Sequence, residues 1–290
     1  MTGALPPPIG PWTLLTRWSL SPLPVVGCIA AVTWYLSNAR RVAAAGHAVP
    51  ARRTIAFVAG VAIVLLALAS PIDRYADVSF TVHMVQHLLL SFAAPPLLAL
   101  GAPVALALRS SSPRGRARLS SLLRSRAVRT LTRPVVGFVA FASLPFALHF
   151  SPLYDLALRE TSVHALEHVA LLGTGIVYWW PIVGSDPVPH RPSHIARVVS
   201  LLLLLPLESF LALAIYSADA PLYPTYANLR APFGPNALAD QQDAAALMWV
   251  VGAAITISIA LAAAAAWRRD DEARQRRLER LEDERAARAG

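Results

Sequence analysis

The sequence predicts an all-α, polytopic membrane bundle of about seven transmembrane helices, with its N-terminus outside and its C-terminus cytoplasmic. Three observations predict it. Of the 290 residues, 56% are hydrophobic and only 15% are charged, whereas soluble domains carry roughly 25% charged residues. The apolar residues gather into runs that match a bilayer core, which takes about 20 residues of helix. The 26 basic residues, all of them arginine, fall between those runs. A net charge of +9 therefore reports membrane topology, with the lipid bilayer as partner and no nucleic acid.

The runs cover 20–39, 54–70, 80–108, 134–150, 161–183, 195–217 and 244–267. The connections 109–133 and 218–243 are loop-sized and polar or proline-rich, so no soluble domain fits between the spans. Pro95-Pro96 and Pro145 are expected to kink their helices. The alternate connections and the end of the chain, with Arg197 at the edge of the sixth run, hold 22 arginines, against four (Arg17, Arg74, Arg159, Arg230) on the opposite side. Because cytoplasmic loops retain arginine, that asymmetry sets the orientation. Residues 1–267 form the seven-span unit. Residues 268–290, with eight arginines against seven acids and i,i+4 pairs such as Glu272/Arg276, form a charged cytoplasmic helical tail. The opening "MTGALPPPIGPWTLL" has no basic n-region and does not read as a cleaved signal peptide. The single cysteine, Cys28, leaves no disulfide framework and no CxxC metal site.

Five of the eight histidines fall at the expected outer edge of the bundle. His83 and His87 open the third span, His149 closes the fourth, and His164 and His168 open the fifth. Residues four apart on a helix share a face about 6 Å apart along the axis, so the third and fifth spans each offer a pair of imidazoles. Ionisable groups at membrane depth are costly and mark function by default. Imidazole suits copper, zinc and iron, and a thioether adds preference for Cu(I); Met84 and Met248 are the methionines placed to add one. Glu167, between two histidines, and Asp240, before the seventh span, are candidates to orient ligands. Glu208, two residues after Pro206 in the sixth span, needs a partner inside the bundle and is a candidate for an ion path. Each of these has a plainer reading, as core packing or a buried hydrogen bond.

His164-Ala-Leu-Glu167-His168 also spells H-x-x-E-H, a pattern of zinc peptidases. A peptidase needs a third ligand and a water-filled groove for peptide; here the motif continues into a membrane span.

The stretch "DRYADVSFTVHMVQHLLLSFAAPPLLALGAP", followed by "ALEHVALLGTGIVYWWPIVG" and "LADQQDAAALMWVVG", resembles the CtaG family of caa3-type cytochrome c oxidase assembly factors. The likeness extends over residues 20–267. It implies a multi-pass protein of the bacterial plasma membrane that helps mature haem-copper oxidase by handling copper. Its partners would be oxidase subunits or a periplasmic copper chaperone. The metal-handling residues would be His83, His87, His164 and His168, with Asp240 a weaker candidate. Such a protein exchanges ligands and catalyses no reaction. The alternatives are a copper or other metal-ion transporter using Glu208, a haem-binding membrane protein, and a scaffold without metal.

Overall fold

A computed structural model describes residues 6–8, 10–16, 18–19, 21–229 and 234–289; Arg17 and Arg230 lie outside the described residues. Among the described residues there are helices and short connections but no strand. A short α1 (Pro11–Thr16) precedes the hairpin of α2 (Pro22–Ala44) and α3 (Ala51–Ala69). After α4 (Pro71–Ala76), the third apolar run forms α5 (Phe80–Leu88), a π-helical turn (Leu89–Ala93), α6 (Ala94–Leu100) and α7 (Pro103–Ser110). Then come α8 (Pro113–Leu123), α9 (Arg126–Leu131), and α10 (Pro134–His149) with α11 (Leu153–Arg159). The chain closes with α12 (Thr161–Val183), α13 (His194–Tyr216), α14 (Pro224–Asn228) and α15 (Ala237–Ala289). Six of the helical stretches are long and apolar enough to cross a membrane, with α5 to α7 taken together. The α10–α11 pair, bent by 71°, makes a seventh if it is one span.

The third span departs from a plain kinked helix for a reason that lies in its prolines. Pro95 has no N–H to give the carbonyl one turn earlier, so the Ser91 oxygen loses its helical partner. The π-helical turn sits at that point. The Ser91 oxygen is instead satisfied by the Trp179 indole, which donates to it at 2.8 Å. One turn before Trp179 on α12, Gly175 lies so close that a Cβ would sit 2.7 Å from Pro95 Cγ and 3.0 Å from the Ser91 oxygen. Helix α12 thus docks against the break in α5–α6 through one bare position and one indole. A second turn follows at Ala102, whose φ of 51° is left-handed. It is held by Tyr35, which donates to the Gly101 oxygen at 2.7 Å. The Asp186 carboxylate adds to this by accepting from the Val104 and Ala105 amides at 3.2 and 2.7 Å.

The segment 109–133, expected as loop, contains α8 and α9. The Ser112 and Ser125 hydroxyls each accept from an amide three residues on, Gly115 and Val128, and Pro113 stands at the first helical turn. These are N-cap devices strong enough to start short helices without an apolar face. Helix α15 runs unbroken for 53 residues through the charged segment. There Arg268 and Arg276 lie 3.7 and 3.6 Å from Glu272, and His194 lies 3.3 Å from Asp270.

The main helix pairings are α13 on α15, α3 on α6, α5 on α15 and α6 on α12. At the arginine-poor end a core of Phe80, Met84, Leu90, Leu148, Tyr154 and Tyr226 packs around the start of α5. This core surrounds the histidines.

Candidate metal centre

The start of α5 is fixed before any histidine is reached. The Asp240 carboxylate, from α15, accepts from the Phe80 amide at 2.7 Å, the Thr81 amide at 3.1 Å and the Ser79 hydroxyl at 3.1 Å. An acid at a helix N-terminus satisfies free amides and complements the helix dipole. Gln86, between the two histidines of α5, donates to the Ala67 oxygen at 2.8 Å and to Asp73 at 3.1 Å. Rotation of α5 is therefore set from both sides, and His83 and His87 turn toward α12.

There they meet the second pair. The His83 ring lies 4.4 Å from that of His87 and 5.0 Å from that of His164, and His164 and His168 are 4.2 Å apart. Glu167 points between the helices, with a carboxylate oxygen 3.5 Å from His87 Nε2 and the other 3.8 Å from His83 Nε2. Two groups of three have ligand atoms all within 4.8 Å of one another: His83, His164 and His168, and His83, His87 and Glu167. The Nε2 atoms of all four histidines and both Glu167 oxygens are buried without a hydrogen-bond partner. Buried polar atoms are normally paired, so six unpaired atoms gathered in one place mark a candidate site.

Three tyrosines that the sequence reading did not single out complete it. Tyr226 in α14 lies 2.9 Å from His83 Nδ1. Its single hydroxyl proton goes to the Ala76 oxygen, at 2.6 Å, so toward His83 it accepts. The network thus assigns the proton of His83 to Nδ1 and leaves the Nε2 lone pair facing Glu167. Tyr223 lies 2.7 Å from His149 Nδ1, and the Tyr154 ring lies tilted between His83 and His149, at 5.1 and 4.9 Å. The pair of tyrosines three apart in "PLYPTYANL" was the available signal. Asp155 ties this segment to α11, pairing with Arg159 and accepting from the Thr225 amide at 2.9 Å.

The other candidates lie outside the two groups of three. His149 forms a wall of the cluster but belongs to neither group of three. Met84 is buried in the apolar core beside Phe80. Met248 and Glu208 line a separate cavity of about 40 Å³ with Pro145 and Phe141. Glu208 has Thr256 at 3.5 Å and one oxygen without a partner.

A vestibule of about 700 Å³ leads to the centre, lined by Asp73, Asp77, Arg159, His164 and His168 among others. Burial, and then the Asp73 carboxylate, raises Asp77 from 3.8 to about 6. The folded chain then holds that proton more tightly than the unfolded one, so stability declines as pH rises from about 4 to about 6 and is flat above. Asp77→Asn removes this decline. Thermal unfolding of both proteins from pH 4.5 to 7 should show the difference moving in favour of the variant; a constant difference would refute the assignment.

The comparisons with known proteins agree on one family. A family model described as cytochrome c oxidase caa3 assembly factor (CtaG) matches residues 33–270. A protein of Mycobacterium leprae described as uncharacterized is 30% identical over 275 residues, 92% of this chain and 42% of its own length. Proteins of Mycobacterium bovis and Mycobacterium tuberculosis, described likewise, are 29% identical over 290 residues, 97% of this chain and 43% of theirs. The chain thus spans less than half the length of the curated relatives it matches. No solved structure matches it.

Proposed function

The chain belongs to the CtaG family of caa3 cytochrome c oxidase assembly factors, and from that premise we propose that it carries copper as cargo. The metal is held by His83, His87, His164, His168 and Glu167 and released to the haem-copper oxidase or to a periplasmic copper chaperone. The protein lies in the bacterial plasma membrane with this cluster outside, as the arginine asymmetry supports.

One observation carries the reading. His83 Nε2, left unprotonated by the Tyr226 contact, faces a Glu167 oxygen at 3.8 Å, and neither has a hydrogen-bond partner. Two buried polar atoms at this distance, both desolvated and neither paired, are unfavourable until a cation joins them. The donor set fits copper: four imidazoles are borderline-soft ligands, and one carboxylate offsets the charge of Cu(I) inside an apolar shell. Cysteine, the usual thiolate donor, is represented only by buried Cys28, which lines a different pocket. The site therefore rests on nitrogen and oxygen. Release needs only exchange of ligands with the acceptor; no covalent bond of a substrate is made or broken.

Anaerobic Cu(I) titration of the detergent-purified chain against a competing chelator tests this. The variant with His83, His87, His164 and His168 all changed to alanine is the reference. Saturable binding in the wild type that disappears in the variant is the expected result. Equal binding in both, or none in either, would overturn the copper reading and leave an assembly scaffold without metal.

A further inference from the structure

The two groups of three share His83, and they differ in what surrounds them. His164 and His168 line the vestibule. His83, His87 and Glu167 do not, and they are 0%, 7% and 3% exposed. His87 is one helical turn beyond His83, about 6 Å further into the span. His83 has a single Nε2 lone pair, so it can serve one metal at a time. Building on the copper reading, we infer that the cluster holds two overlapping metal positions used in sequence: a loading position (His83, His164, His168) bordering the vestibule, and a holding position set back from it (His83, His87, Glu167).

The transfer between them is an exchange of ligands at constant oxidation state. The bond to His83 is kept, those to His164 and His168 break, and new ones form to His87 Nε2 and a Glu167 oxygen. Where Glu167 carries a proton in the empty site, it gives that proton up as it binds. An imidazole that the metal has just left is the base at hand, and it passes the proton to water in the vestibule. Cu(I) then sits beside one carboxylate with no net charge, which suits the drier position. The loading position, with three neutral ligands, leaves the charge uncompensated and so favours onward movement. The small distances make the step feasible: His83 belongs to both groups whose ligand atoms lie within 4.8 Å of one another, so the metal moves while one bond holds it.

The experiment measures two rates in one preparation of the full-length chain. Cu(I) is mixed with protein anaerobically to give the loading rate. A hydrophilic Cu(I) chelator is then added in excess to give the release rate. The wild type is expected to bind one copper per chain. His87→Ala and Glu167→Gln should still bind one but release it about tenfold faster or more, with a much smaller effect on loading. His164→Gln and His168→Gln should bind one and release it slowly, but load about tenfold more slowly or worse. His83→Ala should bind none. Thermal unfolding of each metal-free variant in detergent is its folding control. Two coppers per wild-type chain would overturn the shared position. Changes in both rates by every variant alike would replace the sequence of positions with a single site, while leaving the copper reading intact. Absence of binding by the wild type would remove both.

Discussion

Tyr226→Phe should weaken Cu(I) binding by about 10- to 100-fold while the number of metals bound stays the same. Phenylalanine keeps the ring in its core and removes only the oxygen between His83 Nδ1, at 2.9 Å, and the Ala76 carbonyl, at 2.6 Å. Without that acceptor His83 is free to move its proton to Nε2, the atom that faces Glu167, and each binding event must first reverse that. Tyr223→Phe is the matched control. It deletes the same atom from the same core, but Tyr223 touches His149, which is in neither group, so copper affinity should hardly change. Competition titration of the two variants side by side reads the difference. Equal losses would mean that the tyrosines act through packing of α14 and not through the tautomer of His83.

The contrast between these tyrosines also marks what the sequence could reveal. The spans were legible because lipid imposes a one-dimensional rule, an apolar run of fixed length bounded by arginine. The pairs His83/His87 and His164/His168 were legible because a helix places i and i+4 on one face. Their convergence was less so, since it depends on the rotation of α5 about its axis. That rotation is set by Asp240 and Gln86, whose partners lie 160 and 19 residues away in the chain. Asp240 was expected near the metal, and the structure uses it to cap the helix that carries the histidines. Tyr226 is 143 residues from His83, and no local pattern connects them. The π-helical turn at Leu89–Ala93 was hidden for another reason: an apolar run reads the same in either helix type, and prolines predict a break without saying how its carbonyl is satisfied. Helices α8 and α9 were missed because their signals, single serines before arginine-rich stretches, are weak beside the lack of an apolar face.

The histidine cluster also depends on a contact that is remote from it along α12. His164, His168, Gly175 and Trp179 belong to one rigid helix, so the seat of its middle on α6 sets where its first turns lie against α5. Gly175→Ala adds a methyl 2.7 Å from Pro95 Cγ and 3.0 Å from the Ser91 carbonyl oxygen. Neither can give way. The proline ring is fixed to its own backbone, and the carbonyl is held by Trp179 at 2.8 Å. The helices must separate, and overpacking of this kind costs about 1–3 kcal/mol. Gly173, two residues earlier on the same helix, has nothing within 4 Å of such a Cβ, so Gly173→Ala should be neutral or mildly stabilising through helix propensity. Thermal unfolding in detergent should separate the two substitutions by several degrees. Copper affinity should fall with stability only in Gly175→Ala, because separating α12 from α6 also pulls His164 and His168 from His83. A Gly175→Ala variant that unfolds earlier yet binds copper like the wild type would show that the ends of α5 and α12 are held together by the cluster itself, independently of how their middles pack.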